Sequence, residues 1–475
     1  MSRVVSRAAA GFVVAASLAS DVGGQALDRS KRPAAPPPPT FTFPAVQTRT
    51  LPNGLVVRIV ENRALPLVAV RVFIEGGSLL DPAGREGLFT LDTLLLRDAT
   101  ASKTAEQVAL AMDEVGAVVS PTRFTTISGT FEKGLALLGD MLMHPAFPAS
   151  AVESRKAQLV SAMQRAEGTA STPALRIFNA TLWGPSHPFA RVASPASLAA
   201  ITRDEIEQFH RKYVRPENVT LTIVGDVTAA TAMAAVTKVF GAWERGGERV
   251  RVAAPDAPAP KPTTIHLYDR PNSTQSTIFV GQTAPSRSTP DFMALETMGA
   301  LFGGPTGSRL TMSLRERRPL TYSVSHLPVW RRVGDPSAIY GSANVDAKRT
   351  DSALVVWLDE LRDLAGRRPP VDSELAFARS VTVGRLLTRI ETIDSVANRL
   401  NLVARDGLPA TFYDEYVRGM NRVTVANVKA AAAKVIDPAR TTIVVVGDRK
   451  VVEPLLKAAN IAPVVIVGPD GSVKP

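Results

Sequence analysis

A chain of 475 residues, 45% hydrophobic and 21% charged, has the profile of a soluble globular protein and is long enough for two to four domains. Its formal charge of +11 comes from basic residues scattered along the chain without any nucleic-acid motif, so no nucleic-acid partner is expected. The charge suits anionic peptides or peripheral membrane contact instead. Cysteine is absent, which excludes a disulfide framework, a thiol nucleophile and a lipobox anchor.

Residues 1–26 read as an export signal. Arg3 and Arg7 precede the apolar run Ala8 to Leu18, and Gly24 and Ala26 offer the small residues of a cleavage site. The run is shorter than the roughly 20 residues of a membrane span, so a periplasm is the expected compartment. Residues 27–47 follow as a tether whose prolines, from Pro33 to Pro44, disfavour helix and central strand. The first domain, 48–252, opens with the turn Leu51-Pro-Asn-Gly54. The β-rich runs Leu55 to Val60 and Val68 to Ile74 come next, at a hairpin-like spacing.

Thr104 to Val115 predicts a helix, with Thr104 and Gln107 at capping-box spacing, and Thr125 to Phe131 predicts a strand. Thr202 and Glu205 form a second capping box that opens the helix over Asp204 to Lys212. A proline-rich linker, 253–262, divides the folded chain into halves of about 200 residues. Asn218 to Asp226 (NVTLTIVGD) is echoed by Arg440 to Asp448 (RTTIVVVGD). An amphipathic stretch follows each, Thr228 to Phe240 and Val451 to Ala459, as an internal duplication requires. Further amphipathic helices are expected over Asp351 to Leu364 and Val425 to Val435, and a strand over Ser276 to Gly281. The second domain is 263–460, with 461–475 as a tail. Each half is an α/β unit of helices on a largely antiparallel sheet.

The five histidines, His144, His187, His210, His266 and His326, never stand three or four residues apart, and no zinc site is expected. No G-x-S-x-G occurs, and Gly303 to Arg309 lacks the lysine of a phosphate-binding loop. One patch stands out. A helix is expected over Leu310 to Arg317, ended by Pro319, and a strand over Thr321 to His326. Arg315 and a half-buried Tyr322 can then converge as donors for a peptide carbonyl or its oxyanion.

Several segments resemble the pitrilysin/insulinase-type (M16) zinc peptidases, the family of the mitochondrial processing peptidases. They are Leu51 to Val57, Gly76-Gly-Ser78, Trp183 to Phe189, Phe209 to Val219 running into Val224-Gly-Asp226, and Gly303 to Tyr322. The resemblance implies an α+β fold of two homologous domains forming half of a clamshell. Active members carry H-x-x-E-H on the helix after a Gly-Leu pair. Laid on Gly87 to Thr100, its ligand positions fall on Thr90 and Leu94 and its general base on Thr93, while the third ligand falls on Ala162. These side chains cannot assemble a hydrolytic zinc site. Asp92, displaced by one residue, turns about 100° away. Arg315 and Tyr322 match the family's arginine–tyrosine pair, including its seven-residue separation. The resemblance therefore implies a non-catalytic subunit that binds no cofactor itself. It would hold a peptide substrate for a zinc-bearing partner subunit of the same family. A stand-alone peptide-binding or chaperone-like clamshell and a purely structural subunit are the alternatives.

Overall fold

The computed structural model describes residues 42–116 and 120–474, which fall within one compact unit. The signal segment 1–26 and the tether up to residue 41 lie outside the described residues. The rest of the expected tether already belongs to the fold. Phe43 is buried and stacks on Tyr413 at 5.1 Å, and Gln47–Thr50 is a strand.

Two sheets carry the architecture. The first contains β1 (Gln47–Thr50), β2 (Val56–Glu61), β3 (Leu67–Ile74), β4 (Arg123–Ile127) and β5 (Val219–Gly225), in the order β1-β2-β5-β3-β4. The second contains β6 (Thr264–Asp269), β7 (Gln275–Ala284), β8 (Thr321–Val329), β9 (Ser337–Asp346), β10 (Thr442–Gly447) and β11 (Val464–Ile466). Its order is β11-β6-β10-β7-β9-β8. Both are α/β sheets with mostly antiparallel pairs. The helices that position the site are α1 (Leu88–Leu95), α2 (Ala149–Glu167), α3 (Ser171–Trp183), α4 (Arg203–Tyr213), α5 (Ala229–Phe240), α6 (Ile393–Arg405), α7 (Phe412–Arg422) and α8 (Arg449–Ala459).

The repeated Gly-Asp segments occupy equivalent places. β5 runs parallel to β2 and antiparallel to β3, as β10 runs parallel to β6 and antiparallel to β7. Every residue of β5 is buried, so this strand takes the sheet centre. It therefore separates β2 from β3, which do not form the hairpin their spacing suggested. Gly225 is obligatory at the turn, with φ 146° and a Cβ that would lie 2.1 Å from the Leu67 carbonyl oxygen. Thr228 then caps α5 and Asp448 caps α8 through backbone N–H groups. The capping boxes at Thr104 and Thr202 are both closed reciprocally.

Two further expectations are corrected. The strand predicted to reach Phe131 ends at Ile127, because Phe131, Leu135, Leu138 and Leu142 share the buried face of the helix Phe131–Met143. The tail is not free of structure either, since β11 pairs with β6.

Each half lends a helix to the other's sheet. From α3, Ile177, Phe178 and Leu182 pack with Phe279, Val444 and Val446 of the second sheet. From α6, Val396, Ala397, Leu400 and Val403 pack with Val60, Ala69 and Val224 of the first. A polar seam fixes α6 in place. The buried Arg71 pairs with Asp394 and donates from Nε to Asn398 Oδ1 at 2.7 Å, while Thr125 Oγ1 donates to Asp394 at 2.6 Å. Phe178 is fully buried and touches both Phe279 and Tyr340, with centroids at 5.7 and 5.0 Å. Phe178→Ala is expected to cost about 3–5 kcal/mol in chemical denaturation; a loss below about 1 kcal/mol would show that this docking is not stabilising.

Candidate functional site

The Arg315–Tyr322 pair is built by two local departures from regular geometry. Upstream, the buried Arg309 clamps Glu374 through Nε and Nη2, both at 2.6 Å, and donates to the carbonyls of Arg368 and Pro369. This anchors the short α-helical segment Arg309–Thr311. The chain then widens into a π-helix over Met312–Glu316 instead of the α-helix expected through Arg317. Ser313 Oγ donates to Glu360 at 2.5 Å and Leu314 is fully buried, so the turn is held from inside while Arg315 faces outward. Single π turns of this kind are frequent at functional sites.

The second departure lies in β8, an edge strand. Thr321 pairs with Val345 and Val324 with Ala343, so β8 spends one residue more than β9 across this interval. That is a β-bulge, a device that re-aims side chains. Alternation is broken and Tyr322 stands 83% exposed rather than half-buried. Its ring lies under the Arg315 guanidinium, 4.9 Å from centroid to carbon. Arg315 Nε is 3.4 Å from Glu316 Oε1, and the Tyr322 hydroxyl has no hydrogen-bond partner among the described residues. The stacked cation holds both groups in register, an effect worth about 0.5–1 kcal/mol at an exposed site, and leaves N–H and O–H donors facing solvent.

The positions on which the resemblance laid the zinc motif lie on α1 and α2 and carry no metal donors of that motif. Asp81 accepts from the backbone N–H groups of Gly87 and Phe89 at 2.9 and 2.8 Å, fixing the start of α1. Thr90 is exposed and Thr93 Oγ1 donates to the Phe89 carbonyl at 2.6 Å. Leu94 is partly buried, and Ala162 is exposed on α2. Among the described residues no group of three or more His, Asp, Glu or Cys side chains is placed to hold a metal ion. The residues present do not fit zinc.

Asp92, one position off, points into the core. Its Oδ1 lies 2.8 Å from His210 Nδ1, and His210 Nε2 lies 3.0 Å from the Leu142 carbonyl. That carbonyl only accepts, so Nε2 carries the proton. Burial, partly offset by the His210 hydrogen bond, pushes the Asp92 carboxyl above its ordinary range. The pair ties α1 to α4. It joins residues 118 apart in sequence, so no local spacing announced it; the only local signal was a lone aspartate on an otherwise apolar helix face.

Residues 200–380 match the family model described as the peptidase M16 inactive domain. Over that stretch the chain is similar to the M16 inactive domain. Relatives include a protein named as an uncharacterized zinc protease in Mycobacterium leprae, 25% identical over 82% of this chain and 88% of its own length. Another is named a probable mitochondrial-processing peptidase subunit beta in Schizosaccharomyces pombe, 22% identical over 56% of this chain and 60% of its own length. The crystal structure of a peptidase M16 inactive domain from Pseudomonas fluorescens has a TM-score of 0.75 at 24% identity. It covers 85% of this chain and 98% of that one. A protease from Helicobacter pylori has the same TM-score at 18% identity, covering 85% of this chain and all of its own. These structural likenesses establish the M16 fold.

The edge strand that presents Tyr322 also carries the fully buried His326, whose Nδ1 accepts from Trp357 Nε1 at 3.2 Å. Burial pushes its pKa from 6.5 down to about 3. The unfolded chain therefore binds a proton that the folded chain refuses. Stability from this group is full above pH 6.5 and falls by about 1.4 kcal/mol per pH unit down to about pH 3. His326→Asn keeps an acceptor without the titration, so urea denaturation between pH 7 and 4 should give a shallower pH slope than the parent. Parallel slopes would contradict this.

Proposed function

We propose that this chain belongs to the M16 family as the non-catalytic subunit of an exported two-chain zinc metallopeptidase. In this reading Arg315 and Tyr322 hold the peptide backbone while an H-x-x-E-H partner chain hydrolyses it. The observation that carries the reading is the geometry of the pair. A π-helix and a bulge, each displacing one residue, together present a stacked guanidinium and a free phenol at an exposed edge strand. Structural packing gains nothing from a tyrosine left 83% exposed; substrate contact does.

The relative from Schizosaccharomyces pombe is named as a subunit, which supports a partner of the same family. Zinc, held in the partner, would supply the activated water and polarise the scissile carbonyl. The contribution proposed for this chain is narrower. The Arg315 N–H edge and the Tyr322 hydroxyl donate to a substrate carbonyl and to the oxygen on which charge builds. They act by orientation and electrostatic stabilisation, without bond-making. The proposed compartment, a periplasm, rests on Arg3, Arg7 and the Ala8 to Leu18 run.

Tagged mature chain, recovered from the periplasmic fraction, should bring down an H-x-x-E-H chain, and the complex should cleave peptides. Arg315→Ala and Tyr322→Phe should each lower that rate about 100-fold while leaving co-purification intact. Unchanged rates in both variants would defeat the shared-site reading.

A further inference from the structure

A cleft of about 800 Å³ opens between the end of β3 with Gly76 and Gly77, the start of α1, and the end of β8. It reaches Thr90, the first of the positions laid on the zinc motif, and its apolar walls include Phe89, Phe189, Val252 and Trp330. Four guanidinium groups line it, and two are committed. Arg332 pairs with Glu75, a carboxylate 1% exposed that also takes Arg249 at 3.2 Å. Arg405 Nε donates to Asp406 at 2.7 Å, and Asp406 is already held by Arg287 at 2.6 Å.

The other two are under-used. Arg191 reaches Glu86 only at 3.6 Å, and its Nε is buried without an acceptor. Arg331 forms no ion pair among the described residues. Its guanidinium carbon lies 4.4 Å from the centroid of the Phe189 ring, and its Nε too is buried without an acceptor. The carboxylate nearest in kind, Asp335, accepts instead from the Ala254 backbone N–H at 3.0 Å. Burial lowers the Arg331 pKa, with Arg405 adding to the effect and Asp335 and Tyr340 opposing it.

A desolvated guanidinium with idle donors is costly unless something accepts from it. Stacked flat on an aromatic ring, it keeps its N–H edge available to a planar acceptor. We infer that this cleft is a carboxylate-binding site, selecting peptides that carry an acidic group beside apolar or aromatic residues. The inference rests on the peptide-binding reading above and adds the substrate class. Arg331 supplies the fork, Arg191 a second donor, and the aromatic walls take the neighbouring side chains.

The test is fluorescence anisotropy on the full mature chain without any partner, using three labelled peptides. One carries two glutamates beside a phenylalanine with an amidated C-terminus. The second replaces the glutamates by glutamines, and the third is the glutamine peptide with a free C-terminal carboxylate. The glutamate peptide should bind about 10- to 100-fold more tightly than its glutamine counterpart. Arg331→Gln should remove that preference, while Arg331→Lys, which keeps the charge without the fork, should retain part of it. Preference for the free C-terminus alone also supports the site and identifies its carboxylate as the chain end. Equal binding of all three peptides by the unmodified chain overturns the carboxylate site and leaves peptide binding standing. Binding of none overturns peptide binding itself.

Discussion

The fold depends on reciprocal docking of two helices across the duplicated sheets. Alone, each sheet would leave one apolar face open to water: Phe279, Val444 and Val446 on one side, Val60, Ala69 and Val224 on the other. The cost of that exposure is met by α3 crossing to the second sheet and α6 to the first. Each buries several large side chains worth about 1.5–3 kcal/mol apiece. The exchange makes the halves one compact unit although a proline-rich segment joins them. It also sets the walls of the cleft, because β3 and α1 belong to one half and the end of β8 to the other.

The framework around the positions on which the zinc motif was laid is well held. The α1 start is capped by Asp81, and its inward face is clasped to α4 through Asp92 and His210. At the positions laid on the zinc motif, the exposed Thr90 and the partly buried Thr93 and Leu94 offer hydroxyls and a methyl-rich side chain, not imidazole and carboxylate. The difference from the zinc motif therefore lies in the local chemistry of these positions. Polar groups available to a ligand include the pair formed by Arg315 of the π-helix and Tyr322 of β8, and the guanidinium groups of the cleft.

Much of this could be read from the residues. The duplication was visible in the two Gly-Asp segments, because a buried central strand favours a run rich in β-branched residues and the Gly225 turn needs glycine. The capping boxes at Thr104 and Thr202 were legible because they are local hydrogen-bond patterns. Readings failed where the answer was non-local. The insertion of β5 between β2 and β3, the pairing of β11 with β6 and the Asp92–His210 clasp each join residues far apart in the chain. Tyr322 was misjudged for the opposite reason: one inserted residue in β8 changes which face every preceding side chain takes. The π-helix at Arg315 likewise has an amphipathic pattern that an α-helix would share.

The most direct measurement is a fluorogenic peptidase assay on the mature chain, alone and mixed with an H-x-x-E-H chain of the same family, with and without a chelator. The account predicts no hydrolysis by this chain alone and hydrolysis by the mixture well above that of the partner by itself, abolished by the chelator. Chelator-sensitive hydrolysis by this chain alone, or a partner equally active without it, would contradict the account.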